Sequence, residues 1–112
     1  MSQGVVLFGH GSRNPAWAEP FHALRAEMLR QQPEAQIELG FLELMTPDLP
    51  EAIGRLVAAG ATAIVVVPVF ISAGSHVRED LPRLIAAAQA QYPGVSVTVR
   101  PSLGEAPEML AA

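Results

Sequence analysis

The sequence predicts an α/β fold, a four-stranded parallel sheet with helices on both faces in a flavodoxin-like arrangement. Two observations predict it. Short continuous apolar runs alternate along the chain with apolar stripes at helical spacing, so the pattern switches repeatedly between strand and helix periods. The resulting order is βαβαβαβ(α), and such alternation implies parallel strands joined by right-handed crossovers.

Each element has its own signal. Val5-Val6-Leu7-Phe8 is a continuous apolar run, as expected of a strand covered on both faces. Trp17, Phe21, Leu24 and Met28 then mark one face of a helix. Residues 37–42 read as the second strand. Leu49, Ile53, Leu56 and Val57 form the second helical stripe, with Gly60 as its C-terminal stop. Residues 63–67, Ala-Ile-Val-Val-Val, give the strongest strand signal and are expected at the centre of the sheet. Val77, Leu81, Leu84, Ile85 and Ala88 make the third stripe, ended by Tyr92-Pro93-Gly94. Val95, Val97 and Val99 alternate as a fourth strand, and residues 105–112 begin a last helix. Asp48-Leu49-Pro50 and Asp80-Leu81-Pro82 read as two helix starts of one kind. Asp as N-cap with Pro in the first turn explains both without an internal duplication.

Composition narrows the chemistry. The 112 residues make one domain, half of them hydrophobic and few aromatic. A domain this small buries proportionally little of its surface, which favours self-association. There is no cysteine, which excludes disulfides, iron–sulfur clusters and thiolate metal sites. Every basic residue is Arg, so Schiff-base chemistry and a P-loop lysine are excluded as well. No basic cluster suggests nucleic-acid binding. The N-terminus lacks the basic segment of a signal peptide, and no apolar run approaches the roughly 20 residues that cross a bilayer. A cytoplasmic chain with no membrane partner is expected.

In an open parallel α/β sheet, ligands bind beyond the carboxyl ends of the strands. Gly9-His10-Gly11-Ser12-Arg13 follows the first strand, Glu43 the second, and Ser72-Ala73-Gly74-Ser75-His76-Val77-Arg78 the third. His10, Glu43 and His76 follow one another at intervals of 33 residues. With strand order 2-1-3-4 all three would converge on one edge. Two imidazoles and a carboxylate suit a borderline divalent ion and proton abstraction near neutral pH. The flanking Gly9, Gly11 and Gly74 would let a flat ligand approach the backbone. Plainer readings exist for each residue. A loop histidine can be structural, the Gly-His-Gly-Ser loop can be a tight turn capped by Ser12, and Glu43 can be a surface carboxylate. Coincidence at one topological position favours a site. His22 lies off its helix stripe and reads as a solvated residue, and Met28 and Met45 read as core and loop.

These residues carry a resemblance. Leu7-Phe8-Gly9-His10-Gly11-Ser12-Arg13, Phe41-Leu42-Glu43 and the run from Pro68 to Pro82 resemble the small sirohydrochlorin chelatases of the CbiX/SirB type, over nearly the whole chain. The resemblance implies the chelatase fold and insertion of Co²⁺, Fe²⁺ or Ni²⁺ into sirohydrochlorin, in cobalamin or siroheme synthesis or towards a nickel tetrapyrrole. It implies that His10 and His76 bind the ion and accept protons, with Glu43 as acidic partner. It also implies a homodimer enclosing the macrocycle. The metal is then a substrate, and no cofactor is permanently bound. Arg13 and Arg78 are expected to pair with the carboxylates of the macrocycle, with Ser12, Gly74 and Ser75 as further substrate contacts; the plainer reading of the two arginines is a surface ion pair, for Arg78 with Glu79 or Asp80. Family members continue somewhat beyond the point where this chain stops, so a single chelatase-like domain over residues 1–112, shortened in its last helix, is expected. A carrier of metal or tetrapyrrole without turnover is the alternative. A phosphate-ligand enzyme built on the Gly9–Ser12 loop is disfavoured by the missing Lys and by the placement of His76.

Overall fold

Valine, isoleucine and leucine, stiff or bulky side chains that pack well on a pleated surface, carry a sheet of four strands. The computed structural model describes residues 3–69 and 75–100, with backbone alone at 75–79. In chain order it contains β1 (Gln3–Gly9), a short 3₁₀ helix (Pro15–Ala18), α1 (Glu19–Gln31), β2 (Gln36–Phe41), α2 (Leu49–Ala58), β3 (Ala63–Pro68), α3 (Ser75–Gln91) and β4 (Ser96–Val99). All strand pairings are parallel, in the order β2-β1-β3-β4. β1 is therefore flanked by the other two long strands, with Leu7 opposite Leu39 on one side and Val67 on the other.

Side-chain alternation along β1 divides the core in two. Val6 and Phe8 point to one face, where they pack with Leu49, Ile53 and Leu56 of α2 and with Leu81 and Ala88 of α3. Leu7 points to the other face and joins Ile37, Leu39 and Phe41 under Phe21 of α1. The helices thus cover both faces, as right-handed crossovers between parallel strands require. Ile53 and Leu56 are at most 2% exposed, and burying each contributes about 1.5–3 kcal/mol relative to solvent.

Local signals account for α2 in full. Asp48 accepts a hydrogen bond from the Glu51 N–H while the Glu51 side chain accepts from the Asp48 N–H, a reciprocal capping box. At the other end Gly60 has a φ of +97°. Its N–H donates to the Val57 carbonyl, and that of Ala61 donates to Leu56, which together form a Schellman motif.

Several expectations are corrected. Trp17 belongs to the 3₁₀ helix, which is capped by Asn14 through the Ala16 N–H at 3.0 Å. Pro20 has no N–H to donate backwards, so the α-helix begins beside it, at Glu19. Asp80 does not start a helix: α3 begins at Ser75 and carries Pro82 inside it, while the Asp80 carboxylate accepts from Arg83 at 2.8 Å. The two similar Asp-Leu-Pro segments therefore occupy different helical positions, one at a cap and one past the first turn. In β4 only Val97 is buried; Val99 is 40% exposed, because the strand is short and lies at the sheet edge. The last predicted helix, residues 105–112, lies outside the described residues.

Candidate functional site

The carboxyl edge of the sheet is held together by hydrogen bonds that outlast the strands. Beyond the Gly9–Phe41 pair, the Leu42 N–H donates to the Gly9 carbonyl at 2.9 Å and the Glu43 N–H donates to the His10 carbonyl at 3.2 Å. The β1–β2 ladder thereby runs on into the two following loops and sets His10 beside Glu43. Both residues are exposed. On the other side of β1, the Val69 N–H donates to the Phe8 carbonyl at 2.8 Å, so the chain leaves β3 at the same edge.

His76 is the second residue of α3, the helix that follows β3. Its side chain lies outside the described residues, as do those of Ser75 and Arg78, and Gly74 lies outside them altogether. The fold therefore brings the main chains at His10 and Glu43 together directly, and topology assigns the start of α3 to the same edge. Among the described residues no three His, Asp or Glu side chains gather as a metal site.

The glycines beside His10 have a packing use that the sequence does not show. A Cβ on Gly9 would lie 2.6 Å from the Phe21 ring, so this glycine makes room for the aromatic cluster of Trp17, Phe21 and Phe41. Gly11 has a φ of +102°, and a Cβ there would lie 1.8 Å from the Glu43 carbonyl oxygen. Both positions serve close packing within the protein. Ser12 accepts from the Asn14 N–H through Oγ at 3.1 Å. It thus braces the turn, while the helix cap itself is Asn14.

Ser12 and Arg13 also line an open groove of about 490 Å³ together with Pro15, Leu44, Met45 and Thr46. Its volume falls in the range of small-molecule sites. Leu44 and Met45 in this groove were not singled out from the sequence. Their signal was present: two apolar residues directly after Glu43, in a loop beyond the carboxyl end of a strand. That loop is closed at its base by the Phe41 N–H donating to the Pro47 carbonyl at 3.0 Å and by a bridge between Phe41 and Asp48. His22 is exposed in the first turn of α1, as its position off the helix stripe predicts, and lines a separate groove with Arg25, Glu38 and Pro47.

Comparison with known proteins gives consistent matches. The family model CbiX matches residues 4–112. The sirohydrochlorin cobaltochelatase of Methanothermobacter thermautotrophicus is 39% identical over 82 residues, 73% of this chain and 57% of that protein. The sirohydrochlorin cobaltochelatase of Saccharolobus solfataricus is 38% identical over 107 residues, covering 90% of this chain and 82% of the relative. Among solved structures, a CbiX protein from Marinobacter aquaeolei VT8 superposes with a TM-score of 0.82 at 28% identity, covering 97% of this chain and 88% of its own. The sirohydrochlorin chelatase SirB from Bacillus subtilis subspecies spizizenii, in complex with cobalt, gives a TM-score of 0.73 at 32% identity over 90% of this chain. That match covers 44% of the SirB chain, and the present chain spans less than two thirds of the Methanothermobacter relative.

Proposed function

The chain belongs to the CbiX family, and from that premise we propose that it is a metal chelatase inserting a divalent ion, Co²⁺, Fe²⁺ or Ni²⁺, into sirohydrochlorin. The observation that supports the reading is the hydrogen bond from the Glu43 N–H to the His10 carbonyl, which makes main-chain neighbours of a histidine and a glutamate at the carboxyl edge. Relatives bearing the name sirohydrochlorin cobaltochelatase supply the macrocycle.

Metallation removes two pyrrole N–H protons and strips water from the ion. In this proposal His10 and His76 hold the ion through neutral imidazole nitrogens. Each then accepts a proton as a pyrrole nitrogen takes its place at the metal. Glu43 offsets the charge that accumulates and, being exposed, passes protons to solvent. Arg13, on the rim of the groove, pairs with a carboxylate of the macrocycle, and Arg78, Ser12, Gly74 and Ser75 complete the substrate contacts. The ion is a substrate held transiently, with no resident cofactor. We place the enzyme in the cytoplasm, as a homodimer whose two copies enclose the macrocycle. Among the described residues no helix is long and apolar enough to cross a membrane.

The test is anaerobic metallation of sirohydrochlorin with Co²⁺, followed by absorbance. Wild type is expected to exceed the uncatalysed rate, and H10A to reduce the excess by about 10²-fold or more, the usual loss when a proton acceptor is removed. Because His10 is exposed, its removal should leave the melting temperature unchanged. A wild-type rate equal to background, with tetrapyrrole still bound, would instead identify a carrier.

A further inference from the structure

Leu44 follows Glu43 directly, in the loop between β2 and α2. Its φ is +68°, in the left-handed region where a side chain with a Cβ is disfavoured and Gly or Asn is at ease. Its side chain is nonetheless large, apolar and 54% exposed; among the described residues Val99 is the other large hydrophobic left in solvent. Neither backbone nor burial therefore rewards leucine at this position, and a disfavoured conformation that persists beside a reactive centre points to a use outside the fold. The loop ends are fixed by the Phe41–Pro47 hydrogen bond and the Asp48 cap, so the side chain is presented from a tethered base. It lines the same groove as Ser12, Arg13 and Met45, one residue from the carboxylate that adjoins His10.

We infer that Leu44 is a substrate-contacting, specificity-determining residue, whose isobutyl group packs on the flat face of the macrocycle while Arg13 at the same groove takes a peripheral carboxylate. The inference rests on the chelatase reading and extends it to the binding of the organic substrate. An apolar platform beside a guanidinium selects a ligand that is flat and greasy at its centre and acidic at its rim, and it disfavours small hydrophilic anions, which gain nothing from Leu44.

The experiment is titration of metal-free sirohydrochlorin against wild type, L44G, L44N and L44M, read by quenching of the single tryptophan, Trp17, with a thermal melt of each protein. L44G and L44N suit the left-handed backbone but remove the apolar platform. They are expected to weaken binding at least tenfold while melting at or above the wild-type temperature. L44M keeps the apolar surface and is expected to bind within threefold of wild type. In metallation assays L44G should raise KM for sirohydrochlorin and leave kcat within threefold. Wild-type binding by L44G would overturn the inference alone. Weakened binding with a lowered melting temperature in both L44G and L44N would make Leu44 a structural residue and overturn it too. A wild-type chain that neither binds nor metallates sirohydrochlorin would overturn the chelatase reading and this inference with it.

Discussion

Gly11 sets the spacing between the two loops that carry His10 and Glu43. Its φ of +102° and the approach of the Glu43 carbonyl leave no space for a methyl group. G11A is therefore expected to cost at least about 2 kcal/mol, since a disfavoured backbone region alone costs 1–3 and the loops must also separate. Urea denaturation measures the loss, and the metallation rate should fall with it as His10 and Glu43 move apart. The same two residues show what single-sequence reading captures. The placement of His10 and Glu43 after strands was legible because the strand pattern before each is written in the chain. The purposes of Gly9 and Gly11 were not, because each is defined by a partner distant in sequence, the Phe21 ring and the Glu43 carbonyl. Leu44 escaped for a related reason: an exposed leucine is unremarkable in sequence, and its meaning comes from a backbone angle.

Elements repeat the contrast. α2 was legible at both ends because its stop and start are local hydrogen-bond chemistry, with Asp48 and Glu51 at one end and Gly60 at the other. D48A removes the side-chain acceptor of the capping box and is expected to cost about 1 kcal/mol, seen as a drop in melting temperature of about 4–8 °C for a domain near this size. Because the Asp48 cap fixes the end of the loop carrying Glu43 and Leu44, the melt should be accompanied by a rise in KM for sirohydrochlorin. α3 was misread at its start because Pro82 looks like first-turn chemistry. Burial of Leu81 and Ala88 against the sheet holds the helix through a proline that has no N–H for the carbonyl four residues earlier. Packing overrides the local signal there, and packing is the part of the physics that one sequence does not display.

At the scale of the molecule, strand order decides everything about the site. Convergence of His10, Glu43 and the start of α3 requires β1 between β2 and β3, the order observed. The order was foreseeable as a condition of function but not from periodicity, which is blind to which strands are neighbours. The small size also bears on assembly. At 11.9 kDa one copy offers a macrocycle a single open edge, so the proposed homodimer predicts light scattering at twice the chain mass under assay conditions. A monomer metallating at full rate would set the homodimer aside. One detail of construction reaches beyond this reaction. Because the Phe41 N–H grips the Pro47 carbonyl, residues 42–47 leave and rejoin the frame at one point, like a cartridge in a fixed holder. Such a segment can be exchanged between relatives, or redesigned, while the sheet stays as it is. Within it Leu42 and Met45 pack back onto the two core clusters, so free variation is confined to the exposed positions 43, 44 and 46.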